Sequence, residues 1–141
     1  MDLEQRLEKL KDLRDNLNTY IKECIELNDS ILTDLVTEDQ LFTRGIGGDG
    51  NALDDYTPLT VKIKTEKGQP TDRVTLRDTR DFHNSFRIEA DQVQFEIKAD
   101  DWKTPVLISN YGKRILALSD ENLKHFVDDY LQPYLLKKIT E

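Results

Sequence analysis

Forty-four residues without a glycine or a proline open this chain, and nothing else in it constrains the fold as strongly. Within them Leu3, Leu10, Leu17, Cys24 and Ile31 recur every seven residues. Leu7, Ile21 and Leu35 make a second row, interrupted by Arg14 and Asn28, and Leu13, Tyr20 and Leu27 widen the stripe. Apolar residues at this spacing share one face of a helix. A continuous helix over this span would be roughly 50 Å long. The Asn28-Asp29-Ser30 cluster allows instead that one helix ends there and a second runs to about Phe42. Such a seam suits either a coiled coil, with Arg14 and Asn28 setting register, or a helix lying on its own domain or on a neighbouring subunit. The third row makes the stripe wider than a two-stranded seam needs, which favours packing on a domain.

The next segment changes character. Residues 45–55 are rich in Gly, Asp and Asn and read as a loop. Gly45, Gly47 and Gly50 match the spacing of a dinucleotide fingerprint, but a helix rather than a strand precedes them. Asp49, Asn51, Asp54 and Asp55 lack the spacing and terminal Glu of a calcium loop, so a solvated acidic turn is expected. Thr57-Pro58 reads as an N-cap followed by proline at the first helical position, whereas Val61-Lys62-Ile63-Lys64-Thr65 alternates like a strand. The segment is therefore expected as a short helix or an extended arm. Lys62, Lys64 and Lys67 form a basic cluster, read as a solvated face or as a contact for an acidic neighbour.

Asp78 to about Asn84 is expected as a short helical turn. Phe86, Ile88 and Ala90 then alternate with charged residues, as do Val93, Phe95, Ile97 and Ala99, around Asp91-Gln92. This reads as an antiparallel hairpin with one apolar face. Thr104-Pro105 starts a segment ended by Gly112, and Ile115-Leu116-Ala117-Leu118 suits a strand that closes the sheet. Ser119 reads as an N-cap. Leu123, Phe126, Val127, Tyr130 and Leu131 follow on one helical face, and Pro133 is expected to end or kink that helix. The tail, with Tyr134, Leu135, Leu136 and Ile139, is apolar for a terminus and should dock on the first helix or on another subunit. The chain is thus expected to be α+β and one domain of 141 residues. A long N-terminal helix or helix pair and a C-terminal helix pack on a small antiparallel sheet. Its parts are a helical segment over 1–44, a loop or arm over 45–72, a hairpin-containing core over 73–118, and a helix and tail over 119–141.

Composition narrows function. The net charge is −8, with 28 acidic and 20 basic residues. Phosphate backbones are gripped by clustered Lys and Arg, so unaided nucleic-acid binding is not expected. Cys24, the one cysteine, sits on the helical stripe and reads as a buried structural thiol. The charged start predicts no signal peptide, and no apolar run reaches the roughly 20 residues that span a bilayer. A soluble protein of a reducing compartment is expected. His83 and His125 belong to no metal-ligand spacing, and no HExxH, GxSxG or P-loop occurs. Asp78, Asp81, Asp100, Asp101, Asp128 and Asp129 could hold Mg²⁺ in a small metal-dependent enzyme, but adjacent acids are expected by chance in so acidic a chain. Trp102 reads as an anchor, for the sheet edge or for an interface.

Several segments together carry a resemblance. They are Leu41-Phe42, Gly45 to Gly50, Tyr56-Thr57-Pro58, Lys67-Gly68, Leu76-Arg77-Asp78-Thr79, the Phe86–Ala99 hairpin and Tyr111-Gly112. In order and spacing they resemble the minor tail or tail-completion proteins of tailed bacteriophages, found near the head–tail junction. The likeness covers about residues 38–120, and the first 36 residues look like a generic helix. It departs at Arg80, where the family pattern often has Gly. Glycine in such a turn supplies a positive φ, so Arg80 implies either an ordinary helical turn or a strained residue. The resemblance implies structural work in a ring that joins the head connector to the tail tube. It implies no catalytic residue, cofactor or metal, and DNA passing nearby without specific binding. The virion is the implied location, after synthesis in the host cytoplasm, with no membrane contact. Ring closure needs two different patches per subunit. The first helix or the tail (Tyr130, Tyr134, Leu135, Leu136) is expected to supply one, and Trp102 with the hairpin edge the other. Arg77 and Arg80 are expected to hold their turn, which launches the sheet, or to face a neighbour. A coiled-coil adaptor working through its first helix is the alternative.

Overall fold

The computed structural model describes residues 1–91 and 94–141. The glycine-free opening forms helices in series: α1 (Leu3–Asp15), α2 (Leu17–Leu27), α3 (Asp29–Asp34) and a π-helical stretch, Leu35–Arg44. Asp2 and Gln5 close a reciprocal capping box at the start of α1. The joints are Asn16 and Asn28, each with φ −118°. Neither caps the helix that follows. Each turns its side-chain amide back on the carbonyl four residues earlier, Asn16 on Asp12 O (3.2 Å) and Asn28 on Cys24 O (2.8 Å). The series is therefore broken twice, at Asn16 as well as at the expected Asn28.

The stripe is buried only in its second half. Cys24, Leu32 and Val36 are fully enclosed, whereas Leu3 is 83% exposed and Leu7 and Leu10 are about half exposed (48% and 49%). Gly45 ends the series in the left-handed conformation (φ +62°), which glycine adopts without strain. A loop follows, closed by an Ile46–Ala52 bridge and an Asp49 carboxylate that accepts from Asn51 N–H.

Thr57 caps α4 (Pro58–Glu66), which settles the competing readings of that segment in favour of a helix. The helix also breaks up the expected basic cluster. Lys64 is buried, its ammonium donating to Gln69 Oε1 and Arg77 O (both 3.2 Å) and lying 4.9 Å from the centre of the Tyr56 ring. Lys67 pairs with Asp78, and Lys62 stays at the surface.

A short helix, α5 (Asp81–Asn84), leads into the hairpin of β1 (Phe86–Ala90) and β2 (Phe95–Ala99). The register runs from Phe86 opposite Ala99 to Ala90 opposite Phe95. Val93, expected in the second strand, and Gln92, expected in its turn, lie outside the described residues. One face of the hairpin is apolar. The other carries Arg87, Glu89, Glu96 and Lys98, where Arg87 bonds Glu89 and Asp100, and Lys98 bonds Glu89. These partners, Lys98 foremost, hold the Glu89 carboxyl down to about 2.

After the hairpin come α6 (Thr104–Tyr111), ended by Gly112, and a 3₁₀ turn, Lys113–Leu116. The expected third strand at Ile115–Leu118 does not form. Its first residues belong to the 3₁₀ turn, Ala117 O accepts from the Gln40 amide (2.9 Å), and just before it Arg114 O accepts from Gly48 N–H (2.8 Å). The approach is so close that a Cβ on Gly48 would lie 2.4 Å from that of Ala117. Ser119 caps α7 (Asp120–Phe126), which continues through a π-helical turn, Val127–Leu131, into α8 (Gln132–Thr140). Pro133 thus follows an irregular turn rather than ending the helix. Such a turn accommodates a residue that cannot donate.

The fold is α+β, with the N-terminal and C-terminal helices flanking the two-stranded sheet. One core cluster joins Val36, Leu41, Leu53, Val74, Phe82, Phe86, Ile97 and Ile115, and a second joins Cys24, Ile25, Leu32 and Phe126. Ile88, Phe95 and Leu118 border both. The tail docks on the first helices: Tyr134 donates to Glu23 (2.9 Å), and the Lys138 ammonium sits 4.6 and 4.9 Å from the ring centres of Tyr20 and Tyr134.

Gln40 ties the two ends of the chain together. Fully buried, it donates to Ala117 O, and its carbonyl accepts from Ser119 N–H (2.9 Å) and from the Asn122 amide (3.1 Å). Gln40→Ala would leave these buried groups unpaired and open a cavity, a loss of about 3 kcal/mol. Urea unfolding should show the midpoint falling accordingly, and a midpoint within error of wild type would remove Gln40 from this role.

Candidate functional site: the Tyr56–Arg77 cleft and the Trp102 surface

Segments far apart in sequence converge on one cleft of about 340 Å³, whose lining includes Tyr56, Lys64, Arg77, Arg80, Lys103 and Tyr111. The hub is the Tyr56 hydroxyl, which accepts from Thr75 N–H (2.8 Å) and Leu76 N–H (3.4 Å). The Thr75 hydroxyl in turn accepts from Arg77 N–H (3.2 Å). The backbone here needs such ties, because Leu76 (φ +54°) and Arg80 (φ +75°) are both left-handed without being glycine. That conformation costs an ordinary residue about 1 kcal/mol or more. Arg80 therefore takes the strained alternative, at the position where the resembled pattern has Gly.

The Arg77 guanidinium lies 3.9 Å from the Phe42 ring centre and donates to Glu38 (2.6 Å). Arg73 approaches the same ring and donates to Phe42 O (2.6 Å). Behind the cleft His83 is buried, its Nε2 hydrogen donating to Thr75 O (2.8 Å) and its Nδ1 without a partner among the described residues. Burial pushes this imidazole down to about 4, so it is neutral at pH 7. A neutral ring protonated at Nε2 gives the donor this geometry requires.

The residues expected at interfaces fall in three places. Arg77 is engaged within the fold, as above, while Arg80 is exposed and lines the cleft. Tyr130 is half-buried and stacked on Phe126, with ring centres 5.6 Å apart. Tyr134 and Leu135 are half-buried, and Leu136 is 49% exposed on the outer side of α8. Trp102 stands at the surface, 79% exposed, three residues beyond β2, and Val106 in α6 is exposed as well. Lys103 links this surface to the cleft.

Sequence reasoning missed Tyr56 as the hub, Lys64 as a buried cation and the left-handed Leu76. A signal for the first lay in the Tyr-Thr-Pro step, since a tyrosine placed just before a helix start offers its hydroxyl to a neighbouring loop. For Leu76 no signal exists, because leucine is disfavoured at positive φ. Among the described residues no group of three or more His, Cys, Asp or Glu is placed to hold a metal ion, and no helix is long and apolar enough to cross a membrane. Compared with known proteins, the chain matches no family model, no curated protein and no solved structure.

Arg80→Gly should relieve strain and stabilise the fold by about 0.5–1 kcal/mol, read as a raised urea midpoint. A lowered midpoint would mean that the arginine side chain holds the turn. His83 gives a pH dependence whose sign follows from its lowered value. The unfolded chain binds a proton below about 6.5 and the folded chain only near 4, so stability is lost as pH falls between them. The loss approaches about 3 kcal/mol at the acid end. Unfolding at pH 7 and pH 4.5 measures it, and His83→Gln, which can keep a donor without titrating, should flatten the difference.

Proposed function

We propose that this chain is a virion structural protein of a tailed bacteriophage, a ring-forming neck or tail-completion component that joins the head connector to the tail. The observation that carries this reading is the convergence of the resembling segments. Tyr56 holds the Thr75–Leu76 amides, Arg77 covers Phe42, Lys67 pairs with Asp78 (2.8 Å), and Tyr111 lines the same cleft. These residues support one another as a folding unit. The left-handed Arg80 fits the glycine of the resembled pattern.

In this reading the work is done by surfaces. Trp102 and Val106, 79% and 58% exposed, supply one patch, and the exposed leucines of α1 with Leu136 supply a different one on the neighbouring copy. Two unlike patches meeting head to tail close a ring. The portal or connector and the tail tube are the further partners. A net charge of −8 keeps the surface from gripping passing DNA.

A second reading has one observation in its favour. Leu3, Leu7 and Leu10 leave the N-terminal half of the stripe uncovered, as an adaptor or scaffolding protein acting through a coiled coil would. Electron microscopy of the concentrated protein, alone and mixed with purified phage portal and tail-tube proteins, separates the two. Rings are expected, with Trp102→Ala abolishing them at an unchanged melting temperature. Absence of rings in every mixture would overturn the ring reading, and self-association of residues 1–44 alone would favour the adaptor.

A further inference from the structure

The hairpin leaves one strand edge open. Among the described residues β2 pairs with β1 and with no other strand. Asp91 N–H donates to Gln94 O (2.9 Å) and Asp100 N–H to Ser85 O (3.3 Å), which sets the phase of the ladder. By the register, 87 with 98 and 89 with 96 are then the hydrogen-bonded pairs. Phe95, Ile97 and Ala99 therefore turn their N–H and C=O groups outward, and no described backbone or side-chain group bonds them. Beside this edge runs an open groove of about 600 Å³, lined by Ile108, Leu116, Leu118 and Leu123 together with β2 itself.

We propose that β2 pairs antiparallel with β2 of a second copy, about a two-fold axis at Ile97, so that two hairpins form one four-stranded sheet. The sequence Phe95-Glu96-Ile97-Lys98-Ala99 is its own complement in this register. All three outward residues meet outward residues, Ile97 facing its equivalent and Phe95 facing the second copy's Ala99, large against small. Glu96 of each copy lies directly opposite Lys98 of the other, and opposite charges across a strand pair stabilise it. The neighbouring in-phase registers are penalised. Sliding one way sets Glu96 against the second copy's Glu96, and sliding the other way sets Lys98 against its Lys98. The contact is isologous and closes at two subunits. It is thus independent of the head-to-tail ring contact, which uses Trp102 and α1.

Light scattering on the full chain tests this, together with a charge swap. Wild type should have twice the 16.4 kDa of one chain. Glu96→Lys should give the monomer mass, since Lys would then face Lys98 on both sides of the axis. The double variant Glu96→Lys/Lys98→Glu should restore the dimer. Glu96 is more than half exposed and its ion pair to Lys98 is long (3.9 Å), so the single variant keeps the fold. Hydrogen exchange needs no variant: the Ile97 and Ala99 amides should exchange more slowly at high than at low protein concentration. Wild type that stays monomeric, a Glu96→Lys protein that stays dimeric, a double variant that stays monomeric, or exchange that ignores concentration overturns the pairing. Should wild type form larger assemblies, Glu96→Lys halves their mass if this contact joins two subunits, and an unchanged mass overturns it. Trp102→Ala acts on the ring contact alone, so failure of either reading is told apart from failure of the other.

Discussion

A single buried amide sets the relation between the two ends of the chain. Gln40 spans 77 residues of sequence to reach Ala117 and 79 to reach Ser119. A buried polar group is costly unless satisfied, and this one is satisfied only in one arrangement. The Asn122 amide completes it, reaching Asp39 (3.0 Å) as well as Gln40, and Arg44 ties Asp39 (2.5 Å) to Glu121 (3.0 Å) at the rim. Apolar contacts between α3 and α7 tolerate sliding. The amide network does not, and so it fixes where α7 begins. With a sheet of two strands, the backbone ladder alone cannot impose that order.

The Thr75–Arg80 loop, which leans on the same Leu35–Arg44 stretch, is held in the same way. It has two left-handed residues that would relax if free. Tyr56, the buried His83 and the Arg77–Phe42 stack hold it in place. Strain of this kind persists only where the surroundings over-determine the backbone. The cleft is therefore a consequence of the ties that surround it.

How much of this was legible in the sequence depended on whether the signal was local. The hairpin alternation and the Ser119 and Thr57 caps act over a few residues and stand where the pattern put them, while the turn expected over Asp78–Asn84 forms as a helix only from Asp81. The helical stripe was legible as a helix but not in its burial. What covers it is the hairpin and the C-terminal helices, some sixty to a hundred residues on, and these enclose Cys24 yet leave Leu3 bare. Ile115–Leu118 reads as a strand by composition. Its Ala117 carbonyl is taken by Gln40 and the Arg114 carbonyl just before it by Gly48, partners that no local pattern announces. Lys64 is the plainest case: a lysine alternating with isoleucine suggests a solvated face. Here Tyr56, Gln69 and the Arg77 carbonyl accept its charge in the interior, while Ile63 is 43% exposed. At the candidate site, Arg80 is legible because its position asks for glycine, whereas the Tyr56 hub needs the loop and helix brought together.

The solitary cysteine has a consequence of its own. Cys24 is fully enclosed beneath the π-helical turn that follows α7, its thiol 3.8 Å from Tyr130 O and made less acidic by burial. A thiolate forms readily only in a polar setting. An aqueous alkylating reagent can therefore reach this sulfur only when α2 parts from the C-terminal helices. With no other thiol in the chain, the speed of labelling becomes a clock for that one separation, built into the protein and needing no engineered probe.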